Sequence, residues 1–351
     1  MIAVIDCGTT YSRIYIVEKG RIIGQSAQKI GVRDVAVSGS KELLKQGLQT
    51  IFHDAVRNAG LTPADIQYAV ASGMITSEIG LLEIPHAVAP VGLQELAQQV
   101  VITRDPTILP IETPIVFVRG IKNRPDHEAN FAGIRSLDFM RGEEVQVMGI
   151  LSESDLQLPA VIIVLSSHTK LIYVNDKGQI TASLTSLSGQ IFEAVQQTII
   201  ASHPSEAAHD TVPDMVYDSI LAKAQESVTK AGLLRALLMP RFMKVLLDST
   251  QAERSLFVQA AISAADIKML DEVPTLGLTW PSSAVLVGQE ERCRIYQTYI
   301  QQKFTHCTIR SITDPNAIAR LTVAGALEVA RHLPVAAFDS LPAGGAAGNT
   351  R

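Results

Sequence analysis

One design occurs twice in this chain, and it limits what the chain can fold into. Residues 2–20 open with the apolar run Ile2-Ala3-Val4-Ile5, end it at Asp6, turn through Cys7-Gly8-Thr9-Thr10, and return through a β-rich run to Glu18-Lys19-Gly20. Residues 161–178 do the same: Val161-Ile162-Ile163-Val164-Leu165, then Ser166-Ser167-His168-Thr169, then Lys170-Leu171-Ile172-Tyr173-Val174 and a final Lys177-Gly178. Setting Lys19-Gly20 on Lys177-Gly178 also sets Ile14 on Ile172 and Tyr15 on Tyr173, with the loop one residue shorter in the second copy. Each copy reads as strand, small polar turn, strand. Two such units roughly half a chain apart predict duplicated domains that face each other.

The turn of the first copy suits phosphoryl oxygens. Gly8 lets the backbone approach a ligand with no Cβ in the way. Thr9 and Thr10 add hydroxyls beside the backbone N–H groups. Asp6, at the end of a buried strand, is placed to hold a hydrated Mg²⁺. The alternative is an ordinary hairpin whose aspartate and glycine only make the turn. Two opposed phosphate-binding hairpins, one per domain, are the layout of the actin-like, hexokinase-like ATPase superfamily. The expected class is therefore α/β: a two-domain actin-like (ribonuclease H-like) ATPase fold with duplicated mixed-sheet domains.

At 351 residues, two domains each have room for a core. With 47% hydrophobic and 19% charged residues the chain is globular rather than disordered. A net charge of −5 and the lack of a long basic run argue against nucleic acid or an anionic membrane as partner. Cys7, Cys293 and Cys307 are widely spaced and form no metal pattern, which suits reduced thiols in a cytoplasm. Asp6 falls where a signal peptide needs an apolar core, and no apolar run reaches the length of a membrane span. The expectation is a soluble, cytoplasmic protein.

Along the first expected domain, 1–150, Arg21 to Gln25 reads as a third antiparallel strand. Leu43, Leu44, Leu48, Ile51, Phe52 and Val56 recur at helical spacing before Gly60. A strand over 66–71 runs into the Gly-containing loop Ser72 to Gly80, either a ligand platform or a plain strand-to-helix connection. A short helix is expected near Leu93 to Val101, a buried strand over 115–118, and a long polar loop from Arg119 to Ile134. Arg141, Glu143 and Glu144 flank Gly142 at the start of a helical run. The carboxylates there suit the helix dipole; alternatively Arg141 binds an anionic substrate and a glutamate binds hydroxyls or accepts a proton. The second expected domain, 159–335, continues from its hairpin to a helix through Ile200 and a polar linker over 202–213. Helices follow over 215–238, 241–247 and 251–269. A buried strand ends at Gly288, and a helix over 289–304, a strand over 308–312 and a last helix over 316–333 complete it. Residues 336–351 are expected to be a disordered tail.

With these landmarks placed, the chain resembles the 2-dehydro-3-deoxygalactonokinase family. Four blocks in order carry the resemblance: Asp6-Cys7-Gly8-Thr9-Thr10 with Arg13; Ser72-Gly73-Met74-Ile75-Thr76-Ser77 with Gly80 and Pro85; Met140-Arg141-Gly142-Glu143-Glu144 with Gln146; and Ser166-Ser167-His168-Thr169-Lys170. The chain departs from the family at Ser166 and Leu171, where the family has glycine and tryptophan. It departs again at Gln190, and at Gln289-Glu290-Glu291 after Gly288 in the adenosine-side loop.

The resemblance implies transfer of the γ-phosphoryl of ATP, with Mg²⁺, to the 6-hydroxyl of 2-dehydro-3-deoxy-D-galactonate. Asp6 would orient the metal. Gly8, Thr9, Thr10, Ser166, Ser167, His168 and Gly288 would line the nucleotide, with Arg13 and Lys170 as charge stabilisers. Gly73, Met74, Ser77, Arg141 and Glu143 would hold the sugar acid, and Asp6, Glu143 and Glu144 all stand as candidates for the general base. The implied partners are small molecules, ATP and a sugar acid, and a homodimer is left open. Two alternatives come from the departures: a kinase for another sugar acid, and a non-catalytic ligand-binding paralogue.

Overall fold

The computed structural model describes residues 1–125, 130–196 and 212–334. Its strands, in chain order, are β1 (Ile2–Cys7), β2 (Ser12–Glu18), β3 (Arg21–Gln28), β4 (Tyr68–Gly73), β5 (Ala87–Val88), β6 (Val101–Thr103), β7 (Ile115–Phe117), β8 (Ile121–Lys122), β9 (Phe139–Met140), β10 (Ala160–Leu165), β11 (Thr169–Val174), β12 (Ile180–Ser186), β13 (Ser283–Gly288) and β14 (Thr308–Ile312). The helices are α1 (Val32–Ser38), α2 (Glu42–Asn58), α3 (Leu93–Gln98), α4 (Glu143–Glu153), α5 (Ser188–Val195), α6 (Asp214–Ala231), α7 (Leu233–Leu246), α8 (Gln251–Asp266), α9 (Glu290–Lys303) and α10 (Pro315–Arg331).

The sequence repeat is a repeat of topology. One sheet runs β3-β2-β1-β4-β7-β6 and the other β12-β11-β10-β13-β14. In each, the hairpin strands pair antiparallel and the first of them pairs parallel with a later strand, β1 with β4 and β10 with β13. These parallel pairs set Cys7 opposite Gly73 and Leu165 opposite Gly288, so each turn lies beside the end of a neighbouring strand. A small third sheet, β5-β8-β9, lies outside this scheme.

Side chains alternate across each strand, and that alternation builds the layers. Ala3, Ile5, Ile14 and Ile16 pack beneath Leu44, Leu48, Ile51 and Phe52 of α2. The intervening Val4, Tyr15 and Val17 face the other way, into a core shared with Val145 and Met148 of α4 and Leu321 and Ala326 of α10. Ile162, Val164 and Ile172 of the second sheet close that same core from the opposite side. Their alternates Val161, Ile163 and Leu171 pack on α6, α8 and α9. Helices α4 and α10 thus form a layer between the two sheets. At roughly 1.5–3 kcal/mol per buried large apolar side chain, this shared core is a main source of cohesion.

Several expectations are corrected in detail. The break between the helices after residue 213 falls at Gly232, where φ is +81°, and Pro240 lies inside α7 rather than ending a helix. The stretch from Arg119 to Ile134 contains β8 and the start of a 3₁₀ turn over Phe131–Ser136. The strand expected over 66–71 runs from Tyr68 to Gly73. Asp314 caps α10 as its sequence suggests, accepting from the N–H groups of Asn316 and Ala317 at 3.2 and 3.0 Å. The end of the helix through Ile200, most of the linker with His203 and His209, and the 336–351 tail lie outside the described residues. Among the described residues no helix is long and apolar enough to cross a membrane.

Candidate active site

A cavity of about 840 Å³ opens where the hairpin turns, the end of β4 and the start of α4 meet. Two glycines bring the last two together. Gly73 and Gly142 have φ of +89° and +110°, in the left-handed half of φ. A Cβ on Gly142 would fall 3.3 Å from the Gly73 Cα, and one on Gly73 would fall 2.5 Å from the Cys7 carbonyl oxygen. The backbone therefore closes tightly behind the cavity, and Met74, Ser77, Arg141 and Glu143 line it.

Arg141 is anchored before any ligand arrives. Its Nη1 donates to Thr76 Oγ1 at 2.9 Å and its Nη2 to the Ile84 carbonyl at 2.8 Å, with Nη2 also 3.5 Å from His86 Nδ1. None of these partners is charged; burial lowers the pKa of Arg141, and Glu144, Glu78 and Glu83 oppose this by charge attraction without a salt bridge to it. Burial, together with the positive charges of Arg141 and Lys122, pushes His86 down to about 4, which keeps its imidazole neutral.

The two glutamates of α4 part company. Glu144 is fully buried, and both its oxygens accept from the Gly142 N–H, at 2.9 and 2.8 Å. It does not line the cavity; burial, then the adjacent Glu143, push its carboxyl up to about 8. Glu143 does line the cavity, and its Oε2 is buried with no hydrogen-bond partner. Burial raises its pKa, opposed chiefly by the charge of Lys170. Asp6, across the cavity mouth, is also raised by burial, and the Arg13 guanidinium 3.4 Å away only partly offsets this. An Asp6 carboxyl whose burial outweighs its one cationic partner fits a position that takes up a divalent cation with phosphate ligands.

The second hairpin supplies the opposite wall through Ser166, Ser167, His168 and Lys170. Lys170 is nearly buried. Its Nζ donates to Thr185 Oγ1 at 2.7 Å and to the Phe139 carbonyl, and it lies 3.8 Å from Asp138. Burial, with the charge of Lys170, lowers the pKa of His168. On the far side of the same turn is a second cavity of about 480 Å³, lined by Ser188, Gly189, Gln289 and Arg292 among others. Ser166 and Ser167 line both cavities.

The sequence profile of the family described as 2-keto-3-deoxy-galactonokinase matches residues 6–324. The chain belongs to this family. It is accordingly a sugar-acid kinase. Among solved structures, a Sinorhizobium meliloti protein classed as a 2-dehydro-3-deoxygalactonokinase aligns over 94% of this chain and 98% of its own, with a TM-score of 0.68 and 18% identity. Component A of the (R)-2-hydroxyglutaryl-CoA dehydratase of Acidaminococcus fermentans aligns over 95% and 99%, with a TM-score of 0.51 and 13% identity. At such identities these likenesses speak for the fold, which is that of the actin-like ATPases. No curated protein matches the chain by sequence.

Within this kinase, Asp6, Gly8, Thr9, Gly73, Met74, Ser77, Arg141, Glu143, Ser166, Ser167, His168 and Lys170 share one cavity. Thr10, Arg13, Glu144 and Gly288 do not line it. Gly288 instead brings β13 against β10, where a Cβ would fall 2.8 Å from the Leu165 carbonyl oxygen. The acidic pair Glu290-Glu291 lines neither cavity, and Glu291 lies beside Tyr217 and Arg294. The residues that α9 presents to the smaller cavity are Gln289 and Arg292. Sequence reasoning missed Arg292, His86 and Asp138. The signal for Arg292 was the three-residue step from Gln289, which places both on one face of a helix start.

Proposed function

We propose that the larger cavity binds 2-dehydro-3-deoxy-D-galactonate, the smaller one binds ATP, and phosphoryl passes between them beside Ser166 and Ser167. The observation that carries this reading is that these two residues alone of the hairpin turns line both cavities. A donor and an acceptor lodged on either side of one turn meet at it, which is the positioning that phosphoryl transfer requires.

The 6-hydroxyl of the sugar acid attacks the γ-phosphorus, ADP leaves, and the hydroxyl proton passes to a base. Glu143 is that base: it faces the acceptor cavity, its Oε2 has no protein partner, and burial raises its proton affinity. Glu144, tied to the Gly142 N–H by both oxygens, holds the start of α4 in place instead. Asp6 would hold Mg²⁺, which neutralises phosphate charge when bound. Thr9 offers its N–H and hydroxyl to phosphoryl oxygens on the acceptor side, while the Gly8 N–H is donated to the Tyr11 carbonyl at 2.9 Å and Gly8 contributes close approach of the backbone instead. Arg141 attracts the sugar-acid carboxylate. Both of its Nη2 hydrogens are drawn to protein groups, so Arg141 serves as an anchored charge with an Nη1 hydrogen to spare rather than as an open two-toothed fork. Gln146, whose Oε1 lacks a partner, is available to a substrate hydroxyl.

Closure of the protein over the two substrates would exclude water, which competes as acceptor. The unpaired, buried cysteines support a cytoplasmic setting, where ATP is available. The experiment is a comparison of Glu143→Gln with the parent enzyme: kcat should fall at least ~100-fold with KM for the sugar acid little changed. A near-normal kcat would remove Glu143 from the reaction.

A further inference from the structure

Two charged residues line the smaller cavity, Glu193 and Arg292, and Arg292 is its cation. It stands in the first turn of α9 and is half-buried in the cavity wall. Its Nη1 donates to the Ser166 carbonyl, and its Nη2 donates to Thr169 Oγ1 at 2.8 Å and to Ser188 Oγ at 2.6 Å. The Tyr296 ring lies against the guanidinium at 5.8 Å. All these partners are uncharged, and among the described residues no carboxylate pairs with Arg292. Glu193 lines the same cavity without forming an ion pair to Arg292, and Asp266 accepts from the Tyr296 hydroxyl.

Holding a half-buried guanidinium with neutral acceptors alone costs stability, because its charge is desolvated without an opposite charge to offset the loss. Evolution has more economical ways to pin a turn; a neutral side chain would serve. The arrangement suits a site whose counter-charge arrives with the ligand. Three of the five guanidinium N–H groups are engaged, so two remain. Helix α9 has 14 residues and points its positive N-terminal end at the same cavity, with Gln289 as N-cap. Ser166, which Arg292 fixes through its carbonyl, is the residue where the two cavities join.

We infer that Arg292 receives the phosphate chain of the nucleoside triphosphate donor and holds the Ser166–Ser167 turn against it. This rests on the reading of the smaller cavity as the nucleotide site. It also assigns a compensating cation to the loop where Glu290 and Glu291 make the sequence look unsuited to a triphosphate. Neither acid lines the cavity, Glu291 lying beside Tyr217, and the arginine one position later does line it.

The test is calorimetric binding of ADP and of adenosine to the parent enzyme, Arg292→Gln and Arg292→Lys. Glutamine can still donate to the Ser166 carbonyl but has no charge; lysine keeps the charge. Loss of a charge-assisted contact to phosphate should weaken ADP binding at least ~10-fold in Arg292→Gln. Arg292→Lys should recover part of that loss, and adenosine should bind all three proteins alike. The inference is overturned if Arg292→Gln binds ADP as the parent does. It is also overturned if ADP and adenosine weaken together, since Arg292 would then only support the cavity wall. If the parent binds neither ligand although it turns over the sugar acid with ATP, the nucleotide reading of this cavity falls, and the role of Arg292 with it.

Discussion

Gly149 of α4 and Gly325 of α10 lie at a helix crossing with no room for a side chain on either. A Cβ on Gly149 would fall 2.0 Å from the Leu321 carbonyl oxygen, and one on Gly325 would fall 1.8 Å from that of Val145. The obstruction is backbone, so no side-chain rotation relieves it. The crossing matters beyond stability because α4 carries Glu143 and Gln146 into the cavity, and Gln146 Nε2 reaches Thr322 Oγ1 of α10 at 3.3 Å.

Gly325→Ala should therefore destabilise the protein by at least the ~1–3 kcal/mol typical of overpacking, and lower kcat as well, since the helices must move apart to admit a methyl group. Thermal unfolding and a turnover assay check this. An alanine variant with unchanged melting temperature would mean that the crossing is looser than the geometry implies.

The pH dependence of turnover follows from Glu143. A base must be deprotonated to act, and burial raises the pKa of this carboxyl while Lys170 holds it down. The acidic limb of the rate profile should lie above the ordinary glutamate range. Lys170→Met, if folded, should move the limb to still higher pH. A limb that stays put in that variant would separate Lys170 from the base.

Stability should carry a second pH signature, from Glu144. Its carboxyl is pushed up to about 8 from an ordinary value of 4.5, so between these limits the folded protein binds a proton that the unfolded chain lacks. The stabilisation is full below the lower value and is lost as pH rises through the upper one. Glu144→Gln cannot titrate and keeps an oxygen for the Gly142 N–H. Chemical denaturation from pH 5 to 8.5 should show a shallower decline for this variant than for the parent (both pH values chosen to span roughly the shifted range). Parallel declines would show that Glu144 is ionised throughout.

Much of the fold was legible because its signals are local. Apolar alternation and turn residues placed β1, β2, β10 and β11, and the repeat foretold two sheets of like topology. The two-residue strands β5 and β8 and the packing of α10 on α4 were not legible, since both depend on contacts distant in sequence. At the site, motif spacing brought Asp6, Arg141, Glu143 and Lys170 to one cavity. It did not tell Glu143 from Glu144. Only the fold decides which of two neighbouring carboxylates turns back on Gly142 and which faces the cavity. Likewise Glu290-Glu291 suggested an acidic nucleotide loop, whereas helix geometry turns Arg292 to that side.

Arg141 gives a test of how the carboxylate of the substrate is met. Arg141→Lys keeps a charge but lacks the rigid pair of Nη groups that bond Thr76 through one and the Ile84 carbonyl through the other, so the cation loses its fixed position. KM for the sugar acid should rise at least ~10-fold in both Arg141→Lys and Arg141→Ala, with KM for ATP nearly constant. Equal rises in both constants would place Arg141 in the support of the cavity as a whole.

The central claim, that two cavities sharing Ser166 and Ser167 bring ATP and a sugar acid together, is tested most directly by ADP release over a panel of 2-keto-3-deoxy sugar acids with mass analysis of the product. The account predicts one equivalent of ADP per equivalent of sugar-acid 6-phosphate, with 2-dehydro-3-deoxy-D-galactonate giving the highest kcat/KM. A folded, ATP-binding protein that phosphorylates no acid in the panel would contradict it.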